Sequence, residues 1–215
     1  MVSLTAVQVC VQNAERLLED ATKTSGPTAS ALAELSIEES AKAWMLYFRL
    51  LFQGRGPRIR ARIPRKKLLR VGEYLQQHRD YLSRLDREIA AAFRYHKVKL
   101  KFLAFLLGYL EVALPIFEEA ERFKGIAEAL HGPAFNVKEL GVGVNVERLG
   151  KLLGSFRKEG LTALDQVKLR GFYVNMSEKG DLVSPSIEAF EPAPLGALAG
   201  FLVVSLKGEL LLLTK

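Results

Sequence analysis

Cysteine is almost missing from this chain. Cys10 stands alone among 215 residues, which excludes disulfides within the chain and any zinc site built on cysteines; a lone thiol fits a reducing compartment. Long hydrophobic runs are missing too. Residues Phe102 to Leu110 are apolar but bounded by Lys101 and Glu111, and Leu195 to Leu206 ends at Lys207 and Glu209. Both are shorter than the roughly 18 to 20 residues a spanning helix needs, so they read as buried core helices of a protein with no membrane role. The N-terminal stretch shows no basic segment followed by an apolar run and a small-residue cleavage site, and a cytoplasmic protein is expected. No Gly-rich phosphate loop and no Gly-x-Ser-x-Gly elbow occurs, which leaves nucleotide-loop and serine-hydrolase chemistry without their usual carriers.

What is present suffices for a core. The chain is 49% hydrophobic and 26% charged, too apolar for a disordered polypeptide, and its length fits one domain spanning residues 1–215. The net charge of +7 is local. Between Gly54 and Arg70 lie Arg55, Arg58, Arg60, Arg62, Arg65, Lys66, Lys67 and Arg70 with no acid. Without those eight, 23 basic residues face 24 acidic ones, a net of −1. Gly54, Gly56, Pro57 and Pro64 argue for a basic loop over about 53–67. Such a loop would grip phosphates in a salt-dependent, sequence-independent way, although a charge run is commonly a solvated surface, and this one lacks interleaved aromatics for base stacking.

Helical periodicity dominates the rest. Thr5 to Thr24 reads as one amphipathic helix, Ser25-Gly26-Pro27 interrupts it, and a second helix runs from about Pro27 to Phe52. From Lys67 to Lys124 the pattern is helical again, with a break or bend expected near Gly72 and Pro115. Gly125 to Gly143 reads as a loop, and Asn145 to Lys158 and Leu161 to Lys168 as short helices. A small β-hairpin is expected near residues 172–183, turning at Lys179-Gly180. A last helix spans Ala193 to Leu206, with the Leu210–Leu213 tail open to either helix or strand.

Three constellations stand out. In the second helix, Leu32, Leu35, Glu39, Lys42, Leu46 and Leu50 share one stripe, while Ala33, Ile37, Ala41, Trp44 and Phe48 form an apolar face nearly opposite. A helix apolar on two sides is largely buried, so Glu39 and Lys42 sit where charge is costly unless paired. Pairing of Lys42 with Glu39 or with Glu38 satisfies the helical spacing. The second constellation is Arg94-Tyr95-His96-Lys97-Val98-Lys99. In a continuous helix His96 shares a stripe with Leu82, Leu85, Ile89, Phe93, Leu100, Leu103 and Leu107 and points inward, with Lys99 one turn along. The third is Arg170-Gly171-Phe172-Tyr173-Val174, where Arg170 is able to hold a carboxylate through both guanidinium nitrogens. Each has a plainer explanation: an ion pair at the edge of the core, a satisfied core histidine, and a helix cap with aromatic filling. Glu128 and His131 have a di-iron-like spacing but lack the partners such a site requires; no metal and no cofactor is expected.

Together these segments resemble the AbiV family of abortive-infection, or phage-resistance, proteins of the HEPN-like superfamily. Ala31 to Ala43, with its Glu38-Glu39-x-x-Lys42 core, is similar to the family's first motif, His96-Lys97-Val98-Lys99 to its second, and Arg170 to Val174 to its third. Asn175 stands where an acid is more usual, and Pro185 follows downstream. Order and spacing agree over roughly residues 10 to 190.

The resemblance implies an all-α, HEPN-like helical bundle with long antiparallel helices, a homodimer, and a role in phage defence. Many HEPN proteins are metal-independent RNases with an Arg-x4–6-His motif, but His78, His96 and His131 each lack an arginine at that spacing. The favoured reading is therefore a largely non-catalytic effector that arrests growth or translation by binding a phage or host protein. Its polar inter-helix site would comprise Glu38, Glu39, Lys42, His96, Lys99, Arg170 and Tyr173. The alternative is a divergent RNase or RNA-binding protein, with His96 as acid or base, Lys99 and Arg170 stabilising phosphorane charge, Tyr173 nearby, and the Arg55–Arg70 segment holding the strand.

Overall fold

The computed structural model describes residues 3–50, 65–119, 175–176, 182–183 and 192–213. They form a helical bundle of α1 (Leu4–Lys23), α2 (Gly26–Leu50), α3 (Arg65–Gln77), α4 (Arg79–Ser83), α5 (Leu85–Ala92), α6 (His96–Glu119) and α7 (Pro192–Leu213). A short antiparallel pair, β1 (Asn175–Met176) with β2 (Leu182–Val183), sets Asn175 against Val183 and Met176 against Leu182. The paired residues fall within the span of the expected hairpin; Phe172 to Val174 and the turn at Lys179-Gly180 lie outside the described residues.

α1 starts where a local cap permits it: the Ser3 hydroxyl accepts the Ala6 N–H at 3.2 Å, satisfying one orphan donor of the first turn. Its apolar stripe, Val7, Cys10, Val11, Ala14, Leu17, Leu18 and Ala21, is buried. The reversal into α2 uses Gly26 at φ 66°, a conformation that costs a side-chain-bearing residue energy. α2 is the central element. It packs against α1, α5, α6 and α7, and most of its residues are buried, as two apolar faces require.

Trp44, Tyr47 and Phe48 of α2 meet Phe102, Phe105 and Tyr109 of α6 in one aromatic cluster. Ring centroids there stand 5.0 Å apart for Phe48–Tyr109 and 5.5 Å for Phe48–Phe105, both edge-on. α7 closes the other side. The Trp44 indole donates to the Leu202 carbonyl at 3.2 Å and the Tyr47 hydroxyl to Glu209 at 2.5 Å, while Lys207 pairs with Glu15 of α1. α7 runs on to Leu213, so the Leu210–Leu213 tail is helix. Among the described residues no helix is long and apolar enough to cross a membrane.

The long helical region departs from expectation. α3 runs through Gly72 and α6 through Pro115. The chain breaks instead at His78, at Arg84 and over Phe93 to Tyr95, none of which breaks helices by type. Side chains take up carbonyls at the first two breaks: His78 Nδ1 lies 2.8 Å from the Tyr74 carbonyl, and Ser83 and Arg84 both donate to the Asp80 carbonyl. Folding back lets α3 pack on α6 and α5 on both α2 and α6. That burial of residues such as Leu85 and Ala92 offsets the helical hydrogen bonds given up. The first residues of the expected basic loop are not described, but Arg65, Lys66 and Lys67 lie in the first turn of α3.

Candidate functional site

The seam between α2 and the start of α6 gathers four of the charged residues singled out from sequence. Glu38 and Glu39 are adjacent on α2 and therefore about 100° apart around it, so they face different neighbours. Glu39 pairs with Lys42 one turn along the same helix, both largely buried. Glu38 pairs across the seam with Lys99 of α6; its side chain is 4% exposed and that of Lys99 13%. The spacing allowed Lys42 either glutamate; Lys99 holds Glu38, and Lys42 goes to Glu39.

Lys42 has a second contact. Its ammonium stands 5.2 Å from the centre of the Phe93 ring, within range of a cation–π attraction. Phe93 belongs to the turn between α5 and α6, and that turn corrects the expectation of one continuous stripe. Phe93 is 51% exposed instead of buried with Leu85, Leu103 and Leu107. His96 is the first residue of α6 instead of a mid-helix core position. The reason is the break itself: once Tyr95 leaves helical geometry, the angular register on its two sides is no longer shared.

On the α1 side, Cys10 is buried near the same charges. Burial pushes its thiol up, the Glu39 carboxylate pushes further, and Lys42 offsets part of this, so the thiol is held protonated and poorly nucleophilic. Neither Cys10 nor Phe93 carried a sequence signal for this neighbourhood. Cys10 lies on the buried stripe of α1, and only the packing of α1 on α2 brings it beside Glu39.

Arg170 and Tyr173 lie outside the described residues, as do Arg55, Arg58, Arg60 and Arg62. Arg65, Lys66 and Lys67 are placed along the start of α3, and Arg70 is exposed on that helix. Among the described residues, no group of three or more His, Cys, Asp or Glu side chains is arranged to hold a metal ion. The arrangement offers two largely buried carboxylate–ammonium pairs, one within α2 and one between α2 and α6, beside a partly open aromatic ring. Such pairs orient helices and present a fixed polar surface; they leave neither lysine without an acid.

A second polar cluster, which the motifs did not indicate, lies between α2, α6 and α7. Glu209 accepts the Tyr47 hydroxyl at 2.5 Å and has Tyr109 nearby. Burial raises Glu209 above the usual carboxylate range, the bond from Tyr47 opposing this, and burial together with the Glu209 charge holds both tyrosines well above the usual phenol range.

Neither the curated proteins nor the solved structures offer a match to this chain. The family model described as AbiV, of the HEPN group, matches residues 2–189. That span takes in α1 to α6, both strands and all three sequence motifs. With most of its length matched in this way, the chain belongs to the AbiV family.

Proposed function

We propose that this chain is an abortive-infection effector that arrests growth or translation by engaging another macromolecule. Family membership supports the defence role. The observation that carries the binding mode is the α2–α6 seam, where Glu38 and Lys99 form a largely desolvated pair and Lys42, paired with Glu39, stands over the exposed ring of Phe93. Charge buried in this way is weak as a source of stability, which favours a role in fixing the geometry of a recognition surface. In this reading Glu38, Glu39, Lys42 and Lys99 hold the surface, and His96, the first residue of α6, is the residue tested with them.

The test is plaque formation in a host expressing wild type, Glu39→Ala, Lys42→Ala or His96→Ala, with folding checked by circular dichroism. Protection by wild type that is lost in folded variants supports the reading. Protection that survives all three reduces the motifs to scaffolding. The RNase alternative is tested separately: purified wild type and His96→Ala that leave varied RNAs equally uncut remove it.

A further inference from the structure

The turn between α5 and α6 is unusual on this surface. Among the described residues the exposed large apolar side chains are Val9, Phe93 and Tyr95, and the last two flank a single arginine. Phe93 is 51% and Tyr95 61% exposed, and Arg94 between them and Lys97 after them are exposed as well. Phe93 is tethered beneath by the Lys42 ammonium, so it is held in place rather than free to fold away.

We propose that the α5–α6 turn is a docking surface for an acidic protein segment bearing apolar side chains, a proposal that rests on the partner-binding reading above and names the surface and the chemistry of its occupant. Charge complementarity points to an anionic partner. Three acids of α2 and α5 are already matched inside the protein, Glu38 by Lys99, Glu39 by Lys42, and Glu88 by Lys101 at 3.2 Å. The first turn of α6 brings no acid of its own. Among the described side chains from Arg87 to Lys97, the exposed charges are Arg87, Arg94 and Lys97, all cationic.

The aromatic pair decides which anion. Phe, Tyr and Arg together are the side chains enriched where protein interfaces concentrate their binding energy, as rigid anchors that lose little entropy on docking. A single nucleic-acid strand calls for open ring faces in succession along a track of cations. Here Phe93 already carries Lys42 over its ring, and only Arg94 and Lys97 border the aromatics directly. Two cations beside two anchors suit a short segment in which carboxylates alternate with apolar side chains.

Fluorescence anisotropy of the full chain against labelled short peptides tests this. One peptide alternates Glu with Leu and Phe; a second has Ser in place of the apolar residues; a third has Lys in place of Glu. Oligouridylate of matched charge is the fourth probe. The first peptide is expected to bind about tenfold or more tighter than the others, and Phe93→Ser with Tyr95→Ser to weaken it by about tenfold. Both replacements are at exposed positions, and unchanged circular dichroism confirms folding; Arg94→Glu is the independent second variant.

Equal or tighter oligouridylate binding that the same variants weaken overturns the proposal in favour of nucleic acid. A wild-type dimer that the serine variants convert to monomer overturns it in favour of a second copy of the chain. Absence of peptide binding, or binding indifferent to all three substitutions, overturns it outright. Plaque protection by wild type, measured alongside, keeps the two readings apart: protection without peptide binding removes this surface and leaves the effector reading intact.

Discussion

Replacing Lys99 by methionine puts the α2–α6 seam to its most direct test. Methionine keeps the long apolar stem and removes the charge. Glu38, 4% exposed, then loses the cation that offsets its desolvation. Breaking one side of a buried pair costs about 3–5 kcal/mol. The lower end, about 3 kcal/mol, applies here because Lys99 itself keeps 13% exposure and Glu38 has another interaction besides Lys99. Glu38→Gln leaves the milder remnant, a lysine able to extend its stem toward water, and costs about 1–2 kcal/mol.

Glu38→Met combined with Lys99→Met removes both charges and stays within about 1 kcal/mol of wild type. Urea unfolding followed through the fluorescence of Trp44, the single tryptophan and fully buried, reads all four proteins; a constant m-value licenses the comparison. Equal stability of Lys99→Met and wild type, or a double variant no more stable than Lys99→Met alone, refutes a coupled buried pair.

Glu209 has its folded pKa raised, chiefly by burial, so it contributes stability that is present below its unfolded pKa and lost as pH rises through the folded value; Glu209→Gln should flatten that slope in thermal melts taken across the acidic range. A Cβ at Gly108 would run into the Tyr74 hydroxyl, which donates to the Phe105 carbonyl at 2.8 Å. Gly108→Ala should thus lower stability by about 1–3 kcal/mol despite the better helix former, and Tyr74→Phe in the same background should recover part of the loss in urea titrations. Ser36→Ala removes a buried bond of 2.7 Å to the Ala14 carbonyl and should cost about 1 kcal/mol by the same assay. Gly26→Ala, at φ 66°, should destabilise by about 1 kcal/mol, whereas Gly72→Ala, with open space at its Cβ, should be neutral or stabilising.

The helical class, the extent of α1, the start of α2 and the burial of α2 were legible in the chain itself. Those features are local: the period of the apolar positions, the Ser25-Gly26-Pro27 punctuation and the two apolar faces of Ala29 to Leu50 all lie within a few turns of chain. The sequence also marked Glu39 and Lys42 as residues needing partners, because charge on an apolar stripe must be matched, and offered Lys42 either Glu39 or Glu38.

Packing between helices chose among the possible partners. Glu38 and Lys99 are 61 positions apart, and periodicity gives the face a side chain occupies without naming the helix opposite. Cys10 and Phe93 entered the same neighbourhood for that reason, one through the packing of α1 on α2 and the other through the turn before α6. The breaks at His78, Arg84 and Tyr95 escaped detection because no glycine or proline marks them. They exist because folding α3, α4 and α5 back onto α2 and α6 buries more apolar surface than a straight helix would, a balance set by contacts that no single segment contains.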